Sequence, residues 1–130
     1  MLEESEFPAR GMRVLIVDDE DVVLEVFADM IAALGAEVAT ATSVGEARPL
    51  LEAFRPTLVI TDVYMPGENG LVMRAEVRHW NPATPVVALT GAGDAEVSPD
   101  AGFAHVLQKP VLLDTLAAVL TRFRGQEGSR

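Results

Sequence analysis

The sequence predicts an α/β fold in which a doubly wound parallel sheet of five strands carries helices on both faces. Short apolar runs alternate with amphipathic stretches about every 20 residues, which is the pattern of strands joined by helical crossovers. The central runs are apolar almost throughout, as strands buried on both faces require. Five such units are too few for an eight-stranded barrel, so we expect an open sheet.

Size and composition are those of one globular domain without disulfides. The chain has 130 residues, of which 49% are hydrophobic and 23% charged, and it contains no cysteine. Its formal net charge of -10 disfavours direct binding to nucleic acid or to anionic membranes. No apolar run approaches the ~20 residues of a membrane-spanning helix, and the acidic N-terminus lacks the apolar segment of a secretory signal. We therefore expect a cytoplasmic domain at 12–124, between an N-terminal extension at 1–11 and a C-terminal tail at 125–130.

The first unit has the most regular pattern. A β-branched run at 13–17 predicts strand one, and apolar residues at steps of three and four predict a helix from about Val23 to Leu34. Gly35 stands where a C-cap glycine belongs. The short run that follows, at 36–41, predicts a weaker second strand.

The second helix contains a helix breaker. Ser43 followed by Glu46 is a capping-box pattern, in which the two side chains satisfy backbone N–H groups at the start of a helix. We expect this helix to run to about Phe54. Pro49 lies inside it, and because proline removes a backbone hydrogen bond, we expect a kink or a late helix start there.

The remaining strands each lead into a polar loop. Strand three, at 57–61, is the clearest and precedes a turn rich in proline, glycine and asparagine, after which we expect a helix at 71–80. Strand four, at 85–89, precedes a stretch with glycine and proline that predicts only a short or irregular fourth helix. Strand five, at 104–108, precedes the last amphipathic helix, at 112–124.

Chemically active residues follow the strands at one edge of the predicted sheet. Parallel strands bring their carboxyl ends to the same edge, where open α/β sheets bind ligands. The residues expected there are Asp18, Asp19, Asp62, Thr90 and Lys109. Neighbouring carboxylates repel one another by about 4 kcal/mol per pair at ~4 Å, so such a cluster either holds protons or recruits a cation. Oxygen ligands that come from separate strands, without a calcium-binding loop, favour Mg²⁺.

The same residues predict phosphoryl chemistry. Lys109 supplies a positive charge and Thr90 a hydroxyl donor for phosphoryl oxygens, and Gly91 keeps the approach to that hydroxyl open. Asp62 ends the most apolar strand and is the expected nucleophile for an aspartyl phosphate. Each residue alone has an ordinary explanation as a helix cap or turn residue. Their joint occurrence at the ends of four parallel strands favours a site.

Four segments resemble the receiver domain of bacterial two-component response regulators: Val17-Asp18-Asp19-Glu20, Asp62-Val63-Tyr64-Met65-Pro66-Gly67 with Gly70, Leu89-Thr90-Gly91, and Lys109-Pro110. The resemblance covers about residues 12–124 and implies a flavodoxin-like fold with strand order 2-1-3-4-5. It implies that Asp62 takes a phosphoryl group from a phosphohistidine on a sensor histidine kinase or phosphotransfer protein, which switches contacts with a downstream protein. It also implies that Thr90 and Lys109 bind the phosphoryl oxygens, and that Mg²⁺ is held by Asp18, Asp19, Asp62 and the backbone carbonyl of Tyr64.

Several positions depart from the family pattern. These positions and Gly91 are candidate modulators of the phosphoryl-binding site. The family commonly has an aromatic residue three positions before the lysine, and here that position is Val106. The adjacent His105 is either a pH-sensitive reporter or an edge histidine without a special role. Tyr64 either packs over its loop or screens the phosphoryl group from water. Because the family dimerises through its fourth helix, fifth strand and last helix, the short fourth helix leaves homodimerisation open.

Two other functions fit part of the pattern. A haloacid-dehalogenase-like phosphatase also uses a strand-end aspartate with Mg²⁺ and a lysine, but it places a second acid where this chain has Tyr64. A phosphorylation-independent interaction module is disfavoured because every expected site position is present. The missing glycine-rich loop after strand one excludes a P-loop or dinucleotide-binding domain. We expect a phosphoacceptor rather than a turnover enzyme, either stand-alone or part of a hybrid kinase or larger regulator.

Overall fold

The computed structural model describes residues 7–125 and contains a five-stranded parallel sheet in the order β2-β1-β3-β4-β5. The strands are β1 Arg13–Val17, β2 Glu37–Ala41, β3 Leu58–Asp62, β4 Val86–Thr90 and β5 His105–Gln108. The helices are α1 Asp21–Ala33, α2 Val44–Ala53, α3 Gly70–Trp80 and α4 Leu113–Phe123. The predicted doubly wound, flavodoxin-like fold and its strand order are confirmed.

Two hydrophobic layers cover the sheet, because alternate residues of each strand point to opposite faces. Val14 and Ile16 of β1 pack with α1 and α4, whereas Leu15 and Val17 pack with α2 and α3. All residues of β3 and β4 are buried, as their apolar sequences predict. The sheet therefore holds the carboxyl ends of β1, β3 and β4 in a rigid row.

The residues before β1 pack on the domain. Ala9 is fully buried, and its N–H donates to the Leu34 carbonyl oxygen at 2.9 Å. Gly35 has a φ of 107°, which confirms the predicted C-cap glycine. Parts of the expected N-terminal extension (1–6) and C-terminal tail (126–130) lie outside the described residues, so the domain boundaries stay a prediction.

The start of α2 corrects one expectation about Pro49. The helix begins at Val44 and continues through Pro49, so the predicted late start is wrong. The Ser43 hydroxyl accepts from the Glu46 N–H at 3.1 Å, as a capping box requires. Glu46 Oε1 reaches the N–H and hydroxyl of Thr42, both at 2.7 Å, rather than the N–H of Ser43. This capping stabilises the first turn upstream of the proline.

The strands end one residue later than predicted at two positions of the site. Asp62 and Thr90 are the last residues of β3 and β4 rather than the first residues of the following loops. Between β4 and β5 the chain forms only a 3-10 turn at Pro99–Ala101, which confirms the irregular fourth helix. Within 7–125, none of the helices combines the length and the apolar character that crossing a membrane requires.

Candidate functional site

Three aspartates form an acidic cluster at the carboxyl edge of the sheet. Asp18 and Asp19 follow β1, Asp62 ends β3, and these two strands pair directly. One carboxylate oxygen from each aspartate lies within 4.8 Å of the other two. Asp18 is fully buried, Asp62 is nearly so, and Asp19 is exposed. The acidic cluster therefore meets solvent mainly at Asp19.

Local contacts hold the two buried members in place. The Asp18 N–H donates to the Ala41 carbonyl oxygen at 3.1 Å, and Asp18 Oδ1 accepts from the Glu20 N–H at 2.9 Å. Next to Asp62, α3 begins at Gly70, where a Cβ would lie 2.6 Å from the Asp62 carbonyl oxygen. No side chain fits that distance, so this glycine allows α3 to start directly against the end of β3.

Lys109, the single lysine of the sequence, lies against the acidic cluster. Its Nζ lies 2.9 Å from Asp18 Oδ2, 3.3 Å from Asp62 Oδ2 and 3.6 Å from Oε1 of the exposed Glu20. The Lys109 N–H donates to the Thr90 carbonyl oxygen at 2.7 Å, which fixes the residue at the end of the β4–β5 pairing. The contact with Asp62 is a hydrogen bond, and the shorter contact with Asp18 is an ion pair with a fully buried carboxylate.

Burial and charge set the protonation states of this site. Burial, together with the negative charge of Asp18, raises the pKa of the Asp62 carboxyl to about 6. The positive charge of Lys109 opposes that rise, whereas the negative charge of Asp19 adds a smaller contribution to the rise. Burial lowers the pKa of Lys109, but the pairs with Asp18 and Asp62 outweigh this effect and raise it above its ordinary value. At neutral pH the site therefore holds an ionised Asp62 beside a charged ammonium group.

The acidic cluster fits a hard divalent cation. Its donors are all carboxylate oxygens, which Mg²⁺ prefers, and no cysteine exists in the chain to favour a softer metal. The buried Oδ2 of Asp18 lies 2.9 Å from the Lys109 ammonium and has no other partner within residues 7–125, so its surroundings already favour positive charge. Asp18, Asp19 and Asp62 could together hold Mg²⁺. That the backbone carbonyl of Tyr64 is a further Mg²⁺ ligand stays a prediction.

Thr90 lies beside the cluster, but its hydroxyl is directed elsewhere. The Thr90 hydroxyl donates to the Leu107 carbonyl oxygen at 3.5 Å, a long contact at the limit of hydrogen bonding. The Gly91 N–H donates to Asp94 Oδ2 at 2.6 Å, an interaction that the sequence interpretation missed. The Gly-Ala-Gly-Asp sequence could have indicated it, because aspartate often binds a nearby backbone N–H in turns.

The three side chains proposed as modulators occupy different surroundings. Tyr64 is 44% exposed, and its hydroxyl donates to the Ala95 carbonyl oxygen at 3.0 Å, which bridges the loops after β3 and β4. His105 Nδ1 lies 3.4 Å from Nη1 of Arg122, at the edge of the sheet. Val106 is 43% exposed and faces an open cavity of about 420 Å³ beside Thr90. These contacts leave the roles of all three untested.

Comparison with known proteins identifies the class. The family model for the response regulator receiver domain matches residues 14–121. The chain belongs to this family, whose members are two-component signalling modules that are generally not enzymes. Domains of the family bind Mg²⁺ at an acidic pocket and interact with histidine kinases and downstream targets.

Two curated relatives are longer than this chain. The transcriptional regulatory protein DpiA of Escherichia coli K12 is 31% identical over 118 residues, which cover 87% of this chain and 52% of DpiA. The regulator of RpoS from the same strain is 34% identical over 107 residues, which cover 80% of this chain and 32% of that protein. The chain therefore spans about half or less of these relatives.

Solved structures of single receiver domains match nearly end to end. The receiver domain of NtrX from Brucella abortus superposes with a TM-score of 0.78 at 30% identity, covering 85% of this chain and 96% of that domain. The chemotaxis protein CheY4 of Vibrio cholerae superposes with a TM-score of 0.76 at 29% identity, covering 86% and 98%. Both agree with the fold described above.

The raised pKa of Asp62 predicts a pH-dependent effect of Asp62→Asn on stability. Because the folded-state pKa of about 6 exceeds the ordinary value of 3.8, the folded chain binds this proton more tightly than the unfolded chain. Ionised Asp62 therefore costs stability above pH 6, and the cost disappears as the pH falls toward 4. In Mg²⁺-free buffer at pH 8 we expect Asp62→Asn to raise the free energy of unfolding by about 2 kcal/mol.

Urea unfolding between pH 4 and 8 measures this effect, with Asp29→Asn as the matched control because Asp29 is exposed on α1. The control is expected to change stability little at any pH. A gain from Asp62→Asn that is equal at pH 4 and pH 8 would contradict the assigned cost of burying the ionised Asp62 carboxylate beside Asp18.

Proposed function

We propose that this chain is the phosphoacceptor domain of a two-component phosphorelay, in which Asp62 receives a phosphoryl group from a phosphohistidine with the help of Mg²⁺. The observation that carries the proposal is the arrangement of Asp62. The carboxylate is nearly buried, it lies within 4.8 Å of two further carboxylates, and it accepts a hydrogen bond from the one lysine of the chain.

The residues of the site suit a direct transfer. An oxygen of ionised Asp62 forms the new bond to phosphorus as the phosphorus–nitrogen bond of the donor breaks, and the bonding electrons leave with the imidazole nitrogen. Mg²⁺ bound at the acidic cluster would offset the negative charge that gathers on the phosphoryl oxygens. Lys109 exchanges part of its contact with Asp62 for the incoming phosphoryl oxygens. Thr90 turns its hydroxyl from the Leu107 carbonyl toward the same oxygens.

The transfer leaves one phosphorylated aspartate and the donor with a free histidine. The domain therefore acts as a switch rather than a turnover enzyme. We propose a sensor histidine kinase or phosphotransfer protein as the donor and a protein as the downstream target, in the cytoplasm. The relative DpiA is named as a transcriptional regulatory protein.

Intact-mass measurement after incubation with Mg²⁺ and acetyl phosphate tests this proposal. The parent chain is expected to gain one phosphoryl group, and EDTA is expected to prevent the gain. Asp62→Asn is expected to remain unmodified, whereas the matched Asp29→Asn is expected to behave as the parent. No gain in the parent, or an equal gain in Asp62→Asn, would overturn the proposal.

A turnover assay separates the switch from a phosphatase. A receiver domain releases phosphate at most at the rate at which its own phosphoaspartate hydrolyses. Release of many equivalents from small phosphoesters would instead favour the haloacid-dehalogenase-like alternative, in which the aspartyl phosphate is a short-lived intermediate.

Tyr64 is expected to lengthen the lifetime of the phosphoaspartate. Its ring stands two residues after Asp62 and is held across the loops by the hydrogen bond to the Ala95 carbonyl oxygen, where it would limit the approach of water. We expect Tyr64→Ala to accelerate dephosphorylation about tenfold, which corresponds to ~1.4 kcal/mol of barrier. Tyr64→Phe keeps the ring but loses the hydrogen bond, so its dephosphorylation rate should lie between those of the parent and of Tyr64→Ala. Decay of the phosphorylated mass over time measures the rates, and equal lifetimes for all three proteins would exclude this role.

A further inference from the structure

A second cavity lies at the opposite edge of the sheet from the acidic cluster. It occupies about 290 Å³ between the second half of α3 and the residues that lead into β4 and β5. Its wall includes the side chains of Arg74, Arg78 and Thr84 and the backbone of Gly102. We call it the arginine cavity. Its volume is close to the lower end of small-molecule binding sites in proteins.

The two arginines of this cavity differ from others in the chain. Arg13, Arg48 and Arg55 each form an ion pair with one or two glutamates. Within residues 7–125, by contrast, Arg74 and Arg78 form neither an ion pair nor a side-chain hydrogen bond. This is unexpected in a chain with 20 acidic residues, and it leaves two positive charges one helical turn apart facing the same cavity.

Arg74 carries a buried donor without an acceptor. Its Nε is shielded from solvent and has no hydrogen-bond partner among residues 7–125. A buried donor in this state is unfavourable, and native structures usually satisfy such groups with protein, water or a bound ion. No oxygen of residues 7–125 accepts from this Nε, so the described part of the chain leaves the Arg74 guanidinium without its full set of acceptors.

Gly102 holds the Arg74 guanidinium in a defined place. Its φ is 88°, and a Cβ there would lie 2.8 Å from Arg74 Nη1 and 3.0 Å from Cζ. The guanidinium group therefore rests directly against the glycine backbone. An arginine positioned in this way keeps its planar fork of N–H donors ready for a ligand, because little side-chain freedom is left to lose on binding.

We propose that the arginine cavity binds a small-molecule oxyanion, which the forked N–H donors of Arg74 recognise in a bidentate contact. Carboxylate and phosphate groups both match this donor geometry. Arg78 adds a second positive charge from the exposed rim, and Thr84, a mostly buried residue of the wall, adds a hydroxyl group. The site is independent of Asp62, so the proposal does not rest on phosphoryl transfer.

Titration followed by amide NMR spectra tests this site. The ligands are inorganic phosphate and malonate, each added to the parent chain in Mg²⁺-free buffer at constant ionic strength. We expect saturable shifts at the amides of Thr84, Val86, Gly102 and Ala104, with at least one of the two anions. A response to phosphate alone or to malonate alone assigns the class of oxyanion.

Variants then connect the shifts to the arginines. Arg74→Gln is expected to raise the dissociation constant at least about tenfold, as the loss of a charge-assisted hydrogen bond implies. Arg78→Gln is expected to raise the dissociation constant severalfold. Arg10→Gln removes the same charge from an exposed position outside the cavity and is expected to leave binding unchanged.

Three outcomes would overturn the proposal. The first is the absence of saturable shifts with either anion, which would mean that water alone satisfies Arg74. The second is equal weakening by Arg74→Gln and Arg10→Gln, which would indicate a general charge effect. The third is a response confined to amides near Asp62. Arg78→Gln keeps the test decisive if Arg74→Gln fails to fold, because Arg78 is exposed.

Discussion

Replacing Lys109 with methionine is expected to slow phosphoryl transfer to Asp62 by two to three orders of magnitude while leaving Mg²⁺ binding intact or tighter. The ammonium group lies 3.3 Å from Asp62 Oδ2 and 2.9 Å from Asp18 Oδ2, where it can follow the charge that moves onto the phosphoryl oxygens. Removal of one such preorganised donor typically reduces a rate by about 10²–10³. The same ammonium repels a divalent cation, so its loss favours Mg²⁺ binding.

The Lys109→Met prediction requires two measurements on the same protein. Time courses of intact mass with acetyl phosphate at saturating Mg²⁺ give the rate, and isothermal titration calorimetry gives the Mg²⁺ dissociation constant. Lys109→Arg keeps the positive charge and is expected to recover part of the rate. A rate equal to that of the parent, or a loss explained entirely by weaker Mg²⁺ binding, would contradict the assigned role of the lysine.

Asp18→Asn is expected to weaken Mg²⁺ binding at least about a hundredfold, or ~2.7 kcal/mol. Asp18 is fully buried, its Oδ2 pairs with the Lys109 ammonium at 2.9 Å, and one of its carboxylate oxygens lies within 4.8 Å of those of Asp19 and Asp62, where a cation can bind. The amide removes one of three neighbouring negative charges and keeps the shape of the side chain. Phosphorylation of Asp62 should fall in parallel, and the deficit should shrink as the Mg²⁺ concentration rises.

Calorimetric titration with Mg²⁺ measures the effect of Asp18→Asn, and Asp29→Asn serves as the control for removal of one acidic charge. Retention of parental Mg²⁺ affinity in Asp18→Asn would show that the acidic cluster is not the metal site. Loss of affinity in both variants would indicate that the overall charge, rather than this cluster, attracts the cation.

The sequence was sufficient to predict the fold because its local patterns agree with one another. Apolar strands such as β3 and β4 are buried on both faces, and Gly35 closes α1 with the left-handed conformation expected of a C-cap. Of the two expectations for Pro49, the late helix start is wrong and the kink stays a prediction. The hydrogen bonds among Thr42, Ser43 and Glu46 fix the helix start before the proline is reached, which a residue-by-residue assessment does not capture.

The residues of the acidic cluster were also predictable, since parallel topology alone brings Asp18, Asp19 and Asp62 to one edge. Side-chain directions were not. The Thr90 hydroxyl contacts a β5 carbonyl instead of the cluster, and that choice depends on a rotamer that sequence spacing does not determine. The arginine cavity was missed for a related reason, because an arginine without an acidic partner is recognisable only when its surroundings are known.

The position of the phosphoryl group after treatment with acetyl phosphate and Mg²⁺ tests the assignment of Asp62 most directly. Borohydride reduces an acyl phosphate to the alcohol and so converts a phosphorylated aspartate into homoserine, which peptide mass spectrometry locates in the chain. We expect homoserine in place of Asp62 in the parent and nowhere in Asp62→Asn. Homoserine in place of Asp18 or Asp19, or a chain without any homoserine, would contradict Asp62 as the phosphoacceptor.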